Sequence, residues 1–227
     1  MGEISFGEHV PEYSYGERLR GGQLHDRTFA VVEKTIAEKG ETFSFAEELR
    51  HMAQLFPDSA QLSVLDGGCG EGNMLAEIKP LQGFIGKNVE TTGVTMEREE
   101  AEILQGKDID HVFIGSMQEY YDKAAERERF HFIIDSKGAA YHDFEPLFSD
   151  EAQGRNIIPL YSALLYPKGR AFLSFSYSND DDEVSRAYGS KPMQKIRNLL
   201  ERHKLDIIFP MKADGYMLVE KRGEKQD

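Results

Sequence analysis

The 227-residue sequence contains a single cysteine, Cys69, and an internal disulfide is therefore excluded. Its longest apolar stretch, residues 156–166, is too short and too interrupted to cross a bilayer. The first residues show no basic segment followed by an apolar one, so no secretory signal is expected. Together these absences predict a cytoplasmic protein that does not insert into a membrane.

Positive charge is also scarce. Lysine and arginine number 27 against 40 aspartates and glutamates, which gives a formal net charge of -13. Such a field repels a phosphate backbone, and no basic stripe along the sequence offsets it. Nucleic acid is therefore disfavoured as a partner, and a small or positively charged ligand suits the charge better. The sequence does not indicate an oligomeric state.

Short apolar runs alternate with amphipathic stretches from Leu62 onward, a pattern typical of βαβ units around a mostly parallel sheet. The last two strands are separated only by residues 211–215, too few for a crossover helix, which predicts a terminal antiparallel hairpin. The seven predicted strands are 63–66, 91–95, 111–114, 130–135, 170–175, 206–210 and 216–220. The helices predicted between them are 74–81, 97–105, 118–127, 156–165 and 184–203.

The N-terminal part has a different pattern. Residues 23–39 and 44–55 are both predicted to be amphipathic helices. Ser44 is the expected N-cap of the second, and Glu47 completes a capping box. We therefore predict a helical extension or lid over residues 1–60, an α/β domain over 61–222 and a frayed tail over 223–227.

A glycine-rich turn, Asp66–Gly72, directly follows the first predicted strand. In parallel α/β sheets the turns at the carboxyl edge bind ligands, and glycine lets a ligand approach the backbone closely. The dinucleotide fingerprint is not met, because its third glycine would fall on Asn73. No lysine followed by serine or threonine completes a phosphate-binding P-loop.

The spacing Asp66-x-Gly68-x-Gly70-x-Gly72 resembles the first motif of the class I S-adenosylmethionine-dependent methyltransferases. Four later segments resemble that family's landmarks in the same order: 92–96, 114–118, 130–136 and 164–170. The resemblance implies a Rossmann-like, seven-stranded, mostly parallel sheet flanked by helices, with strands in the order 3-2-1-4-5-7-6. It also implies that the cofactor is S-adenosyl-L-methionine.

The resemblance also implies which residues bind the cofactor: Asp66, Gly67, Gly68, Cys69, Gly70, Gly72, Thr95, Met96, Ser116, Met117, Gln118, Asp135 and Ser136. Two positions depart from the family pattern. Thr95 stands where most members have the carboxylate that accepts hydrogen bonds from the ribose, with Glu97 two residues further on. His131 replaces the usual aspartate of the fourth strand, and we interpret it as a structural hydrogen-bonding residue.

The expected activity is methyl transfer to an oxygen or nitrogen of a small-molecule acceptor. An oxygen acceptor needs a base, and Lys137, Tyr141 and His142, after the fourth strand, are the catalytic candidates. His142 is favoured because its ordinary pKa lies near neutrality. No metal is expected, because the acidic run 180–183 is simply explained as the first turn of a helix. A non-catalytic cofactor-binding or interaction protein and a protein methyltransferase remain alternatives.

Overall fold

The computed structural model describes residues 3–6, 28–96, 98, 100–124, 128–136, 138, 157–174, 191–210 and 215–223. Its strands are β1 (Glu3–Phe6), β2 (Gln61–Asp66), β3 (Asn88–Thr95), β4 (His111–Ile114), β5 (Phe130–Asp135), β6 (Leu165–Leu173), β7 (Leu205–Pro210) and β8 (Met217–Lys221). Its helices are α1 (Phe29–Glu38), α2 (Phe45–Leu55), α3 (Asn73–Ala76), α4 (Gln82–Ile85), α5 (Glu100–Gln105), α6 (Met117–Ala124), α7 (Ile157–Leu164) and α8 (Lys191–Arg202).

All of these strands join one sheet, in the order β1-β4-β3-β2-β5-β6-β8-β7. Five neighbouring pairs run parallel, and β8 runs antiparallel to both β6 and β7. The α/β class, the mostly parallel sheet and the antiparallel C-terminal hairpin are therefore confirmed. The fold places the carboxyl ends of four adjacent strands, β4, β3, β2 and β5, at one edge of the sheet.

The predicted count of seven strands is wrong, because β1 adds an eighth strand at the sheet edge, and the order of the whole sheet differs from the prediction by this strand. Its four residues pair in parallel with all of β4, from Glu3 opposite His111 to Phe6 opposite Ile114. The other seven strands keep the relative order β4-β3-β2-β5-β6-β8-β7. The segment before residue 60 thus contributes a strand as well as helices, and its division from the sheet domain at residue 60 stays a prediction.

Helices cover both faces of the sheet and bury two apolar layers. One layer combines α1 and α2 with residues of β2 such as Leu62 and Val64. The other combines α6, α7 and α8 with the opposite side of β2, where Leu65 lies. Because β2 is covered on both faces, it is buried along most of its length, as expected for a central parallel strand.

Each of the two N-terminal helices begins directly after a residue whose side chain caps it. Ser44 accepts a hydrogen bond from the amide of Glu47 at 3.5 Å and begins α2, and Thr28 plays the same part for α1. The amide of Phe29 donates to Glu77, at 2.6 Å, which ties the start of α1 to the segment after the glycine turn. The sequence predicts the first helix over 23–39, but the helix begins only at Phe29, because Thr28 before it has an extended backbone. Residues 23–27 lie outside the described part.

Several described elements differ in extent from their prediction, and two of them change the local structure. The helix predicted over 74–81 ends at Ala76, and a 3-10 turn over Lys79–Leu81 and then α4 follow it. Pro80 explains this break, because it has no amide to donate to the preceding turn. Strand β6 begins at Leu165 instead of the predicted residue 170, and the register of its pairing with β5 shifts between Phe130 and Phe132. Among the described residues no helix has the length and hydropathy needed to span a bilayer.

Candidate cofactor-binding site

The ends of the four adjacent parallel strands bring most of the predicted site residues to one edge. Asp66 ends β2, Thr95 ends β3, and Asp135 ends β5. Ser116 follows β4 by two residues. These segments are far apart in the sequence, and it is the parallel pairing of their strands that makes them neighbours.

The glycine turn is held by backbone hydrogen bonds to both neighbouring strands. The Gly67 amide donates to the Ile134 carbonyl at 2.9 Å, and the Cys69 amide donates to the Val94 carbonyl at 3.0 Å. Asp66, which is almost fully buried, accepts a hydrogen bond from the Gly68 amide at 3.2 Å. These hydrogen bonds hold the turn between β3 and β5.

Two glycines of the turn adopt left-handed backbone conformations, with φ +52° at Gly70 and +73° at Gly72. A Cβ on Gly72 would come within 2.6 Å of both Ile109 and Leu104, so this glycine serves packing. Among the described residues, a Cβ on Gly70 would meet only the Glu100 carboxylate, at 3.6 Å. Gly70 is therefore where the turn remains open to an approaching group.

Gly67 and Gly68 pack against the protein itself. The Tyr161 hydroxyl occupies the place where a Cβ on Gly67 would stand. A Cβ on Gly138 would lie 2.8 Å from the Gly68 Cα, which shows how closely the segment after β5 approaches the turn. Asp135, fully buried, accepts hydrogen bonds from the Tyr161 hydroxyl and from the Gly138 amide, the latter at 2.9 Å.

Thr95 lies at the end of β3 and donates its hydroxyl to the Glu100 carboxylate, at 2.5 Å between Oγ1 and Oε2. Both side chains are buried. A carboxylate is thus present at the strand end where the sequence has threonine. Sequence reasoning considered Glu97, which lies outside the described residues, and missed Glu100, although the acidic run around it was a visible signal.

Lys107 connects the end of α5, the helix that contains Glu100, with the glycine turn. Lys107 follows α5 and donates to the Glu71 carbonyl and to the Asn73 side chain, each at 2.5 Å. Both acceptors belong to the turn or to the first residue of α3. The connection between β3 and β4 therefore forms one wall of the site.

The other predicted cofactor-binding residues differ in exposure and in partners. Met96 is 38% exposed, whereas Met117 is buried in the apolar layer formed by α6, α7 and α8. Ser116 caps α6: its amide and hydroxyl both bond Glu119. Gln118 is exposed and donates to Asp122 on its own helix. Ser136 is buried next to Asp135.

Cys69 lies between two acidic residues of the site. Burial raises the pKa of its thiol well above the ordinary value, and the nearby charges of Asp66 and Glu100 raise it further. The thiol is therefore protonated at neutral pH and packs as a small apolar group.

His131 lies at the opposite edge of the sheet. Its Nδ1 accepts a hydrogen bond from the Ser63 amide at 2.9 Å, and its Nε2 lies 3.1 Å from the Ser59 hydroxyl. Burial, with a smaller contribution from the charge of Lys87, lowers the pKa of His131 to about 4. His131 is thus a neutral structural residue. A cavity of about 620 Å³ that it lines, with Glu90 and Glu128, is also at that amino edge, away from the glycine turn.

The three catalytic candidates, Lys137, Tyr141 and His142, lie outside the described residues, as does the acidic run 180–183. Within the described ranges, no group of three or more histidine, cysteine, aspartate or glutamate side chains is arranged to hold a metal ion. The described site therefore consists of the glycine turn, the ends of the neighbouring strands and three buried carboxylates, those of Asp66, Glu100 and Asp135.

Comparison with solved structures identifies the fold. The chain superposes on a Listeria monocytogenes protein assigned to the class I S-adenosylmethionine-dependent methyltransferases, with a TM-score of 0.53 and 14% identity over 93% of this chain. It spans 66% of that protein's length, slightly under two thirds. Fibrillarin from Aeropyrum pernix, solved with natively bound S-adenosylmethionine, gives a TM-score of 0.54 at 10% identity, covering 86% of this chain and 74% of that one.

An S-adenosylmethionine-bound amino pentose methyltransferase of calicheamicin biosynthesis from Micromonospora echinaspora matches over 94% of this chain and 99% of its own. Its TM-score is 0.52, and its identity is 14%. No family model and no curated protein matches the sequence. The fold is therefore that of the class I S-adenosylmethionine-dependent methyltransferases, as the sequence motifs predicted.

Proposed function

We propose that this protein binds S-adenosylmethionine at the glycine turn and transfers its methyl group to an oxygen or nitrogen of a small-molecule acceptor. The observation that carries the proposal is the open backbone at Gly70, with a buried carboxylate opposite it, at the carboxyl edge of the sheet. Ligands of open α/β folds bind at this edge.

The side chains of the site suit this cofactor. Asp66 and Glu100 place two carboxylates around the turn, and the cofactor offers an ammonium, a sulfonium and two ribose hydroxyls. Carboxylates bind such groups through charge-assisted hydrogen bonds and electrostatic attraction. A pyrophosphate would instead be repelled by them, which argues against a dinucleotide. When bound, the cofactor supplies a methyl group activated by the positive sulfur.

The net charge of -13 supports a small acceptor over a nucleic acid. For such a transfer the protein must mainly align the acceptor with the methyl group and exclude water. We assign the alignment of the acceptor to the segment after β5, which begins at Ser136 and includes Lys137, Tyr141 and His142. His142 is the proposed base for an oxygen acceptor.

Calorimetry tests the first half of the proposal. We expect saturable, one-to-one binding of S-adenosylmethionine and of its product S-adenosylhomocysteine, and no binding of NAD or ATP under the same conditions. Absence of binding to either sulfur compound would contradict the proposed function at its first step.

Turnover is tested with cofactor labelled in the methyl group and three separate acceptor pools: small metabolites, peptides and RNA. We expect label to enter the metabolite pool, and His142→Ala to reduce it. Label in the peptide pool would instead support the protein methyltransferase alternative, and label in the RNA pool would contradict the argument from charge. Cofactor binding without transfer to any pool would favour a non-catalytic binding protein.

A further inference from the structure

We propose that Tyr161 is a positioning residue for methyl transfer: through Asp135 it holds the segment after β5, where the acceptor is aligned, against the glycine turn. The inference rests on the proposed function, because it concerns how that segment and the turn are kept together for the reaction. Tyr161 lies on α7, 26 residues after Asp135. It acts through Asp135 and not by contact with either ligand.

The first argument is the use of the two oxygens of the Asp135 carboxylate. Oδ2 accepts a hydrogen bond from the Tyr161 hydroxyl, and Oδ1 accepts one from the Gly138 amide at 2.9 Å. One oxygen therefore bonds to α7 and the other to the segment after β5. Asp135 is fully buried, and a buried carboxylate is destabilised when it loses a hydrogen-bonding partner. The link from α7 to this segment is thus unfavourable to break.

The second argument is where this link holds the segment. A Cβ on Gly138 would lie 2.8 Å from the Gly68 Cα and 2.9 Å from Asp135 Oδ1. Gly138 therefore fits between the glycine turn and the carboxylate only because it has no side chain. In the sequence it lies within residues 137–142, which contain the three catalytic candidates. The place where Gly138 is held thus determines where these candidates start relative to the turn.

The third argument is that Tyr161 is itself held firmly. It is fully buried in the apolar layer that contains Leu65 of β2 and Ile133 of β5. Its hydroxyl lies against Gly67, where even a Cβ would overlap it. A tyrosine hydroxyl has one hydrogen, and this one is donated to Asp135. The packing of α7 therefore sets the position from which the Asp135 carboxylate is held.

The glycine turn has other supports. The Gly67 amide donates to the Ile134 carbonyl and the Cys69 amide to the Val94 carbonyl, and neither bond involves Tyr161. Loss of the Tyr161 hydroxyl is therefore expected to loosen the segment after β5 and to leave the turn in place. Because alignment of the acceptor affects the transfer rate, the rate should fall while cofactor affinity stays.

Hydrogen exchange followed by NMR tests the link without any activity. Tyr161→Phe removes the hydroxyl, so Asp135 takes up a proton or turns, and either change weakens its bond to the Gly138 amide. We expect this amide to exchange at least about 10-fold faster, with the Gly67 and Cys69 amides unchanged.

Tyr120→Phe is the matched control. Tyr120 is also buried in the apolar layer that contains Tyr161, but its hydroxyl donates to Glu128, near the opposite edge of the sheet. The control should leave the exchange of the Gly138 amide, the affinity for S-adenosylhomocysteine and the transfer rate unchanged. Thermal unfolding checks that each variant is folded.

Methyl transfer is measured with labelled cofactor and the acceptor pool that receives label from the wild type. We expect Tyr161→Phe to lower the rate at saturating S-adenosylmethionine by about 10- to 100-fold, because the acceptor is misaligned. Its affinity for S-adenosylhomocysteine, measured by calorimetry, should stay within about twofold of the wild type. A loss of general stability would instead affect binding and rate together.

Asp135 variants separate the link from the charge. Asp135→Asn keeps an oxygen for the Gly138 amide and a nitrogen that can donate to the Tyr161 hydroxyl, so it should retain slow exchange and most of the rate. Asp135→Ala removes both acceptors and should resemble Tyr161→Phe. If Asp135→Ala does not fold, Asp135→Asn and Tyr161→Phe provide the decision.

The possible failures are distinct. A wild type that binds no cofactor, or transfers label to no pool, contradicts the proposed function, and the inference falls with it. An active wild type with a Tyr161→Phe variant of equal rate, or with unchanged exchange at Gly138, overturns the inference alone. A Tyr161→Phe or Asp135→Asn variant that loses affinity for S-adenosylhomocysteine as strongly as rate overturns it as well, because these side chains would then serve the cofactor.

Discussion

The hydroxyl of Tyr161 lies directly against Gly67, at the point where any larger residue would place its Cβ. The same hydroxyl donates to the Asp135 carboxylate at the end of β5, and both side chains are fully buried. Helix α7 thus contacts the glycine turn and the segment after β5 through one tyrosine. Gly67 is needed for this packing, because any Cβ there would overlap the Tyr161 hydroxyl.

Gly67→Ala is therefore expected to destabilise the protein by about 3 kcal/mol, because the new methyl group overlaps a fully buried tyrosine. Urea denaturation followed by circular dichroism measures the change. Gly83→Ala is the matched control, since it lies within α4 with nothing near its Cβ position. It should stabilise by up to about 1 kcal/mol. Equal effects of the two substitutions would contradict the packing assigned to Tyr161.

Gly70→Val is expected to abolish cofactor binding while the protein stays folded. Its side chain would fill the gap between the turn and Glu100, and φ +52° adds backbone strain of about 1–2 kcal/mol. Gly40→Val separates these two effects, because Gly40 has φ +79° and open space around its Cβ position. Calorimetry with S-adenosylhomocysteine should show binding only for the Gly40 variant. Unchanged affinity of Gly70→Val would remove the reason for placing the cofactor there.

Much of the sheet could be predicted from the sequence because its signals are local. Buried apolar runs that end in glycine or in a turn indicated strands β2 and β5. The last two strands are separated by only five residues, and this short connection required that they pair in antiparallel fashion. Strand β1 could not be predicted in this way. It has only the four residues Glu3–Phe6. Its pairing with β4 depends on backbone hydrogen bonds between two segments that are more than a hundred residues apart in the sequence.

In the candidate site, too, the local features could be predicted from the sequence and the long-range contacts could not. The glycine spacing predicted the turn and its location at the carboxyl edge of the sheet. This was possible because glycines determine the backbone conformation locally, at neighbouring residues. The contacts of Glu100 with Thr95, and of Tyr161 with Gly67, depend on how helices α5 and α7 pack. Sequence spacing alone does not determine such side-chain directions.

Arg170 connects α2 to the sheet, and its removal is expected to destabilise the protein by about 3 kcal/mol. Its guanidinium bonds Glu48 of α2 at 2.8 Å and Glu220 of β8 at 2.9 Å. Burial disfavours its charge, but these two carboxylates outweigh that effect and raise the pKa of Arg170. Arg170→Met would leave both carboxylates without their cation.

Arg222→Met is the control for Arg170, because Arg222 forms an ion pair with Asp206 on the exposed surface. Exposed pairs contribute little, since water and salt screen them. Urea denaturation of both variants should show a clear loss for Arg170→Met and a much smaller one for Arg222→Met. A reversed ranking would mean that α2 is not held through this arginine.

The Cys69 thiol is expected to resist thiol reagents in the folded protein. It is buried, and burial together with Asp66 and Glu100 raises its pKa, so the reactive thiolate is scarce at pH 8. Colour development with a disulfide reagent should be more than about 100-fold slower in buffer than in denaturant. The sequence has no other cysteine, so the signal reports this turn alone. Rapid stoichiometric labelling of the native protein would show that the turn opens readily.

His131 predicts how stability depends on pH. Its pKa is about 4 in the folded protein, against about 6.5 for an unperturbed histidine, so the unfolded chain binds the extra proton first. The contribution of the neutral imidazole is therefore fully present above pH 6.5 and is lost as the pH falls toward 4. The difference corresponds to roughly 3 kcal/mol of unfolding free energy.

His131→Asn keeps a hydrogen-bond acceptor for the Ser63 amide but cannot take up the proton, so it should flatten this part of the pH dependence. Urea denaturation between pH 4 and pH 7 measures the slope for both proteins. Proton NMR of the imidazole checks the same pKa directly in the folded state. If the two proteins lose stability equally over this interval, the buried, neutral His131 between Ser59 and Ser63 is not what makes the fold sensitive to acid.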